Sequence, residues 1–391
     1  MNFRSYEIKD ICKIKRDISK NIQTGPFGSQ LHQSDYSECG IPVVMPKDLV
    51  GGKISEESIA RVDKTHVERL CRHKIEVGDI LYSRRGDVGR CAHVTKKEEG
   101  WLCGTGCLRV TIDSEKADSR FVFFQLQHPD TVGWVEKHAV GATMLNLNTT
   151  ILSSVPIRLP ALEIQKRIAD ILSAYDDLIE NNQKQIKLLE EAAQRLYKEW
   201  FVDLHFPGHE NTKVVDGVPE GWRKFPLEEI APVVTGKKDA NYGDKGGNYP
   251  FFTCSQETIT APGYSFDTSA VILAGNGDFN VKLYRGKFEA YQRTYVLAPF
   301  DHSNLFNLYF TVQDNMEALA KGASGSTIKF LTKGMLQKIL VLTADKKVLD
   351  KFNDYEENIQ QKVEALKKQV EDLTEIRNRL LPKLMSGEVE V

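Results

Sequence analysis

The chain has 391 residues, which is enough for two or three domains that each bury a core of their own. With 41% hydrophobic and 27% charged residues, it has the composition of an ordinary globular protein, and no apolar run approaches the roughly 18–20 residues that span a bilayer. A net charge of −2 argues against a protein that coats nucleic acid non-specifically, since such proteins carry a strong basic excess. The N-terminus lacks the apolar core of a signal peptide, so we expect a cytoplasmic protein with no membrane partner.

The first part of the chain has the pattern of short strands separated by turns. Apolar runs at residues 41–45, 78–83 and 107–112 are bounded by Gly, Pro or charged residues, which is typical of strands. Glycine-rich stretches at 25–28 and 86–89 predict turns with positive φ. We therefore expect a mixed α/β or mostly-β domain over residues 1–157. Residues 1–161 carry 23 Lys and Arg against 20 Asp and Glu, a balance of +3.

A heptad pattern follows and predicts a long helix over residues 158–203. Apolar residues recur at alternating steps of four and three, with no Pro or Gly between them. At about 1.5 Å per residue, a helix of about 40 residues spans roughly 60 Å. This first heptad seam, the stripe that would face a partner helix, consists of Ile168, Leu172, Tyr175, Ile179, Asn182, Ile186, Leu189, Ala193, Leu196 and Trp200.

The same organisation then recurs. Residues 204–221 combine Pro, Gly and Asn without periodicity and predict a linker. Residues 222–342 again contain strand-like runs, at 270–275 and 294–299, with glycine-rich turns between such runs. Residues 202–345 carry 14 basic against 16 acidic residues, a balance of −2, so the second half is electrostatically the weaker candidate for binding nucleic acid. A second long helix is predicted over 343–391.

The second seam repeats the first at a constant offset of 184 residues. It consists of Phe352, Glu356, Ile359, Val363, Leu366, Val370, Leu373, Arg377, Leu380 and Leu384. At the same offset GATMLN (141–146) aligns with GSTIKF (325–330), whereas FRSYEIKDI (3–11) aligns with WRKFPLEEI (222–230) at an offset of 219. The 35-residue difference between the two offsets is the extra length of the first globular segment. The chain is thus expected to be a pseudo-two-fold internal repeat of an α+β domain followed by a long helix.

Two equal seams in one chain can cover each other. We therefore expect the two helices to pair as an antiparallel coiled coil within the chain, with intermolecular pairing as the alternative. Polar residues interrupt the seams at Asn182, Glu356 and Arg377, where they would help to define the register.

Residue patterns typical of catalysis are missing from the sequence. There is no nucleotide-binding GxxxxGK[ST] loop, no HExxH, no nucleophile elbow and no Asn/Asp-Pro-Pro-aromatic tetrad of an amino-methyltransferase. Cys103 and Cys107 have the spacing of a metal-ligand pair, but no second pair follows. We therefore predict a non-enzyme that binds no cofactor and no metal, with its seven cysteines as reduced thiols.

Several segments resemble the specificity subunits of type I restriction–modification systems. In the first half these are TGPFGSQL (Thr24–Leu31), GDILYSRRGDVG (Gly78–Gly89), GATMLNLNTTILSSVPIRLP (Gly141–Pro160) and EIQKRIADIL (Glu163–Leu172). In the second half they are TGKKDANYGDKGGNYPFFTCSQ (Thr235–Gln256), YRGKFEAYQRTYVLAP and the terminal IRNRLLPKLMSGEVEV. The likeness covers essentially the whole chain, although the counterpart of the Pro160 region, at 341–352, departs from the pattern with Ala344 and Leu349.

The resemblance implies a non-catalytic subunit that reads a bipartite site on double-stranded DNA. Each globular segment would be a target-recognition domain, and the helices would be spacers that dock two methyltransferase subunits. Those subunits would bring S-adenosylmethionine and extrude an adenine, and motor-nuclease subunits would join through the complex. A coiled-coil scaffold that never touches DNA, and the reading subunit of a type IIB-like restriction enzyme, are the alternative functions.

The candidate DNA-binding residues are polar or basic groups in glycine-rich loops, where a backbone can approach DNA closely. Arginine suits guanine edges and phosphates, and lysine mainly phosphates. In the first domain the candidates are Thr24, Ser29, Gln30, Lys47, Arg84, Arg85 and Arg90, and in the second they are Lys237, Lys238, Lys245, Lys282, Arg285 and Arg293.

Overall fold

The computed structural model describes residues 2–13, 22–141, 145–323 and 329–391. The chain divides into two compact units. Unit 1 is Met1–Asn181 together with Gln369–Val391, and unit 2 is Asn182–Lys368. The domain boundaries expected from the sequence stay a prediction.

Unit 1 consists of short strands and short helices followed by part of a long helix. Its strands are β1 (Arg4–Glu7), β2 (Ile22–Thr24), β3 (Ile41–Val44), β4 (Leu49–Val50), β5 (Lys53–Ile54), β6 (Ala60–Val62), β7 (Asp79–Ser83), β8 (Cys91–His93), β9 (Leu102–Cys103), β10 (Cys107–Thr111) and β11 (Pro156–Leu159). Its helices are α1 (Ile8–Ile11), α2 (Lys64–Arg69), α3 (Ser119–Leu126), α4 (Pro129–His138), α5 (Thr149–Ser153) and the first part of α6 (Leu162–Tyr197). The last part of the long C-terminal helix, from residue 369 on, also belongs to this unit.

The central sheet of unit 1 has the antiparallel strand order β2-β10-β7-β8. Side chains of β7 alternate between its two faces, since Ile80 and Tyr82 pack into a cluster with α3 whereas Leu81 packs with Leu49 and Ile54. Both faces are therefore covered, which explains why all five residues of β7 are buried, including Asp79 and Ser83 at its ends.

Unit 2 repeats this composition. Its strands are β12 (Val214–Val215), β13 (Val218–Pro219), β14 (Arg223–Pro226), β15 (Val233–Thr235), β16 (Tyr249–Phe252), β17 (Ile259–Ala261), β18 (Phe266–Ala274), β19 (Val281–Ala290), β20 (Thr294–Leu297) and β21 (Leu340–Thr343). Its helices are the last part of α6, α7 (Leu227–Ile230), α8 (Leu305–Asp314), α9 (Met316–Gly322), α10 (Lys333–Gln337) and the first part of α11 (Lys346–Ser386).

The two units share one topology. The order β15-β20-β18-β19 in unit 2 matches β2-β10-β7-β8 in unit 1, and β14 pairs with β21 as β1 pairs with β11. In unit 2 the single strand β19 pairs with β18 and also runs parallel to β16, a double role that unit 1 divides between β8 and β9. The predicted repeat is thereby confirmed in structure. Of the aligned segments 141–146 and 325–330, residues 142–144 and 325–328 lie outside the described residues.

The segment predicted as a linker, residues 204–221, is folded. It contains the hairpin β12–β13, whose two-residue turn Asp216-Gly217 has positive φ at both positions (51° and 69°), as a type I′ turn requires. Phe206 packs on Trp222 with ring centroids 4.5 Å apart. Aromatic residues therefore anchor this segment to the core of unit 2, although its Pro and Gly content is typical of a linker.

The two long helices pair antiparallel within each unit, as predicted. In unit 1 Asp176 of α6 and Arg377 of α11 lie 3.3 Å apart, and in unit 2 Glu190 of α6 and Lys367 of α11 lie 2.9 Å apart. As residue numbers increase along α6, the numbers of their partners on α11 decrease, which is the antiparallel arrangement. Every predicted seam position is buried or half-buried. Helix α6 continues into a π-helical turn, Lys198–Val202.

Candidate nucleic-acid interface

The glycine-rich loops of unit 1 meet at one edge of its central sheet. Strands β2 and β7 end where their antiparallel neighbours β10 and β8 begin, so the loops that follow or precede them lie side by side. We call residues 24–30, 84–90, 104–106 and 145–147 the loop edge of unit 1. Most of the sequence-predicted residues of the first domain lie on it.

Backbone contacts hold this loop edge together. A Cβ built on Gly25 would lie 1.9 Å from the carbonyl oxygen of Gly104, so only glycine permits this close approach. The hydroxyl of Thr105 donates to the carbonyl of Pro26 at 2.9 Å, and the backbone N–H of Arg84 donates to the carbonyl of Gly106 at 2.8 Å. Of the glycines that identified these loops in the sequence, Gly25 therefore serves the packing of loop on loop, whereas Gly86 provides a positive φ of +74°.

The three candidate arginines of unit 1 have different surroundings. Arg90 is exposed and its Nε donates to Asp87 at 2.6 Å, so this carboxylate neutralises it locally. Arg84 is half-buried, and its Nε has no hydrogen-bond partner among the described residues. Arg85 is exposed, and none of the described carboxylates lies within 4.0 Å of its guanidinium. Of the three, Arg85 is the one that is both accessible and unneutralised.

The other candidates of unit 1 divide between the loop edge and its margin. Thr24 ends β2, and Ser29 is exposed in the following turn. Gln30 accepts a hydrogen bond from the backbone N–H of Phe27 at 3.1 Å, so its carbonyl is occupied within the loop. Lys47 is exposed, next to Pro46, but its Nζ donates to the backbone and hydroxyl of Ser58 at 2.5 and 2.9 Å.

Unit 2 forms the equivalent loop edge, residues 235–238, 253–256, 275–280, 291–293 and 330–331. A Cβ on Gly236 would lie 1.9 Å from the carbonyl oxygen of Ala290, so glycine is again required, here where the loop crosses the end of β19. The N–H of Gly275 donates to the carbonyl of Arg293 at 2.9 Å, and the N–H of Leu331 donates to the carbonyl of Gly275 at 2.8 Å. The arrangement of unit 1 is therefore repeated.

Three candidate residues of unit 2 lie on this loop edge. Lys237 and Arg293 are exposed there, and the Nζ of Lys238 lies 4.3 Å from the ring centroid of Tyr242. Lys245 is exposed in the turn that precedes β16, outside the loop edge as defined.

The remaining two candidates are engaged within the fold. Arg285 lies in the middle of β19, where Nη1 contacts both carboxylate oxygens of Glu357 on α11, at 2.7 and 3.0 Å, and the guanidinium lies 5.0 Å from the ring centroid of Phe306. Lys282 donates to the carbonyl of Ser255 at 2.9 Å, and burial lowers its pKa. Sequence reasoning selected them as basic residues of glycine-rich loops, whereas the structure places both in β19. Their contacts with Glu357 and Ser255 exist only in the folded chain.

Two residues of the loop edges were missed by the sequence reasoning. Phe27 is 56% exposed at the tip of its loop. Asn276 is half-exposed in the turn after β18, and an alignment of SRRGDVG (83–89) with AGNGDFN (274–280) would have placed it opposite Arg85. Phe27 was passed over because it is apolar. Asn276 was passed over although it is polar, because only basic residues were selected in the second domain.

Four of the seven cysteines are buried, whereas Cys39 and Cys71 are exposed and Cys254 is half-buried. Cys103 and Cys107 are buried, and burial raises the pKa of Cys103 to about 12, so its thiol is protonated at neutral pH. Across the part of the chain that the structure describes, no cluster of three His, Cys, Asp or Glu side chains could hold a metal ion. Within the same residues, no helix is long and apolar enough to cross a membrane.

Comparison with known proteins bears on this repeated arrangement. The family model described as the type I restriction modification DNA specificity domain matches residues 2–191 and again 219–372. The type I restriction enzyme EcoDI specificity subunit of Escherichia coli is 37% identical over 176 residues, which are 44% of this chain and 39% of that protein. The MjaIX specificity subunit of Methanocaldococcus jannaschii is 26% identical over 98% of this chain and 96% of that protein.

A solved structure resembles the whole chain. The crystal structure of the type I restriction–modification S subunit from M. genitalium has a TM-score of 0.66 over 98% of this chain and 96% of that one. At 18% identity this likeness shows the fold alone. The family model covers most of the chain, in two copies that correspond to the two halves of the repeat. The chain therefore belongs to the type I restriction–modification DNA specificity family, and its function is DNA sequence recognition and not catalysis.

Proposed function

We propose that each unit reads one half of a bipartite DNA site through its loop edge. The observation that carries this proposal is the repetition of one arrangement: in both units, loops that glycine allows to cross closely are brought to the same edge of the same sheet. Exposed basic or amide side chains lie on both edges. Two such surfaces in one chain suit a target with two separate half-sites.

The chemistry of the two edges supports sequence reading more than non-specific binding. A net charge of −2 leaves little general attraction for phosphates, so affinity must come from placed contacts. Each well-placed bidentate base contact contributes about 1–3 kcal/mol of discrimination. Lysines such as Lys237 would contact phosphates and orient the unit, while arginine and amide side chains would contact base edges.

The paired helices are the proposed docking surface for two methyltransferase subunits, one for each half of the repeat. Apolar residues stay exposed on these helices, among them Leu178 (50% exposed) and Leu188 (64% exposed) on α6 and Tyr355 and Ile376 on α11. Exposed apolar side chains on a helix favour a protein partner. The methyltransferases would supply S-adenosylmethionine, motor-nuclease subunits would join through the complex, and the assembly would act in the cytoplasm.

Exchange of one unit tests the proposal. Residues 1–157 are replaced by the equivalent segment of another family member, and the full chain is co-expressed with its methyltransferase subunits. Duplexes bound from a randomised pool are then sequenced. We expect one half-site to change and the other to stay.

Two other results would contradict the proposal. If both half-sites change together, the two units do not read independently. If the wild-type complex selects no sequence at all, the chain acts as a coiled-coil scaffold. A type IIB-like context would instead appear as the same bipartite reading by a chain that works with different partners.

A further inference from the structure

The turn after β7 and the turn after β18 each contain one residue that is surrounded by the same backbone hydrogen bonds. In unit 1 this residue is Arg85. The backbone of the preceding residue, Arg84, makes two hydrogen bonds: its N–H donates to the carbonyl of Gly106 at 2.8 Å, and its carbonyl accepts from the N–H of Leu147 at 2.7 Å. Arg85 itself forms an isolated antiparallel bridge with Asn146.

In unit 2 the residue is Asn276, and each of these contacts recurs. The N–H of the preceding Gly275 donates to Arg293 at 2.9 Å, and its carbonyl accepts from Leu331 at 2.8 Å. Asn276 forms an isolated antiparallel bridge with Phe330. The two positions are therefore structurally equivalent.

The backbone on both sides of each residue is fixed. The following residues, Gly86 and Gly277, have φ of +74° and +70°, a left-handed conformation that favours glycine. Each side chain thus follows a residue whose N–H and carbonyl are both hydrogen-bonded, and precedes a glycine with positive φ. The turn therefore holds the side chain in a defined direction, as base recognition requires.

Local acidic groups leave both side chains available. Each turn contains one aspartate two residues further on, and each aspartate has another partner. Asp87 accepts from Arg90 at 2.6 Å, and Asp278 accepts from Gln256 at 2.8 Å. The structure gives no hydrogen-bond or ion-pair partner to the Arg85 or Asn276 side chain among the described residues.

We infer that Arg85 and Asn276 are equivalent specificity-determining residues, one for each half-site. Arginine suits the O6 and N7 acceptors of guanine, and asparagine suits the N6 donor and N7 acceptor of adenine, each in a bidentate pair. The half-site read by unit 1 would thus contain a guanine that Arg85 contacts, and the half-site read by unit 2 an adenine that Asn276 contacts. This inference rests on the proposed function of the loop edges.

Exchange of the two side chain types is the sharpest test. The full chain carrying Arg85→Asn, and separately Asn276→Arg, is assembled with the methyltransferase subunits, and bound duplexes are selected from a randomised pool. Arg85→Asn is expected to replace a guanine by an adenine at one position of one half-site. Asn276→Arg is expected to make the opposite change in the other half-site. Alanine at either position should reduce discrimination at that one base by about 5- to 100-fold.

Arg69→Ala is the matched control, since Arg69 is an exposed arginine of unit 1 that ends α2, lies outside the loop edge and is paired with Asp35 at 3.9 Å. It should leave the selected sequence unchanged. Thermal melting of each variant confirms that it folds.

The outcomes separate the two levels of the argument. The wild-type complex is expected to select a bipartite DNA site. If the folded Arg85→Asn and Asn276→Arg complexes select that same site, this inference is overturned and the proposed function stays intact. Affinity that falls equally for all sequences, with a salt slope lower by about 1, would make the residue a phosphate contact and also overturn it. A wild-type complex with no sequence preference contradicts the proposed function, and this inference with it.

Discussion

Glu356 places a carboxyl group in the apolar seam of α11. The residue is fully buried, and neither carboxylate oxygen has a hydrogen-bond partner among the described residues. Burial raises the pKa of Glu356 to about 8. The equivalent position of the first seam is Leu172, which is also fully buried. A buried carboxyl group without a hydrogen-bond partner destabilises a core, and its charged form does so more strongly than its protonated form.

The free energy of unfolding should therefore depend on pH through Glu356. Its pKa is raised in the folded state, so between about 4.5 and about 8 the folded chain holds a proton that the unfolded chain has lost. Stability accordingly falls as pH rises through this window and changes no further above it. We expect Glu356→Leu to raise the unfolding free energy at pH 8 by a few kcal/mol, at about 1.4 kcal/mol per unit of pKa shift. Chemical denaturation at pH 5 and pH 8 measures this, and an equal stability change at both values would contradict it.

Glycine at the loop crossings gives a second prediction at the scale of single residues. Gly25→Ala and Gly236→Ala should each lower stability by about 1–3 kcal/mol or more, because the added Cβ meets a backbone carbonyl oxygen at 1.9 Å. Gly28→Ala is the control, since a Cβ there meets nothing within 4 Å. Its effect should stay within about 0.5 kcal/mol. Thermal melting of the three variants decides the matter, and equal effects at Gly25 and Gly28 would show that the crossing relaxes.

At the scale of elements, the contact between strand β19 and helix α11 changes the role that the sequence predicts for a basic residue of the strand. The strand carries basic residues that suit DNA, yet the guanidinium of Arg285 contacts Glu357 on the helix. The contact is about 40% exposed on both sides, so we attribute to it no more than the modest energy of a surface ion pair.

We therefore predict that Arg285 supports the packing of β19 on α11. Arg285→Ala and Glu357→Ala should each lower stability slightly, and the double variant should lose about 0.2–1 kcal/mol less than the sum of the single ones. The salt dependence of DNA binding should stay the same. A salt slope that drops by about 1 in Arg285→Ala would instead identify Arg285 as a phosphate contact.

At the scale of the whole molecule, the two long helices run antiparallel and their seams face each other. A change in the length of one helix must therefore be matched in the other to keep the seam residues in contact. We propose that the paired helices measure the gap between the half-sites. Seven residues inserted into both helices at the level of the Glu190–Lys367 ion pair preserve the seam register. Each helix lengthens by about 10.5 Å, or roughly three base pairs of B-DNA.

Selection from a pool with randomised gaps should then return the same two half-sites with a longer gap between them. Insertion of four residues in α6 alone is the control, and it should break the seam and lower the melting temperature. An unchanged gap preference in a folded double-insertion variant would show that the helices serve only to hold partner subunits.

The sequence by itself determined the architecture. Apolar residues at heptad spacing, repeated at a constant offset, predicted two long helices and their antiparallel pairing. This worked because a helix buries one face at a fixed period, and that period is visible in the local sequence. Strands such as β7 were predicted from apolar runs. The family also followed from segments along the chain, and its glycine-rich loops located both loop edges.

Tertiary structure alone decided which polar side chains are available on those edges. Arg90, Arg285 and Lys282 are engaged by Asp87, Glu357 and Ser255, and two of these partners are distant in sequence or on another element. Asn276 aligns with Arg85 in sequence, but only the repeated backbone contacts showed that the two residues occupy the same structural position. The physical reason is that periodic burial is a local property of the chain, whereas the neutralisation of a side chain depends on contacts between residues that only the folded chain brings together.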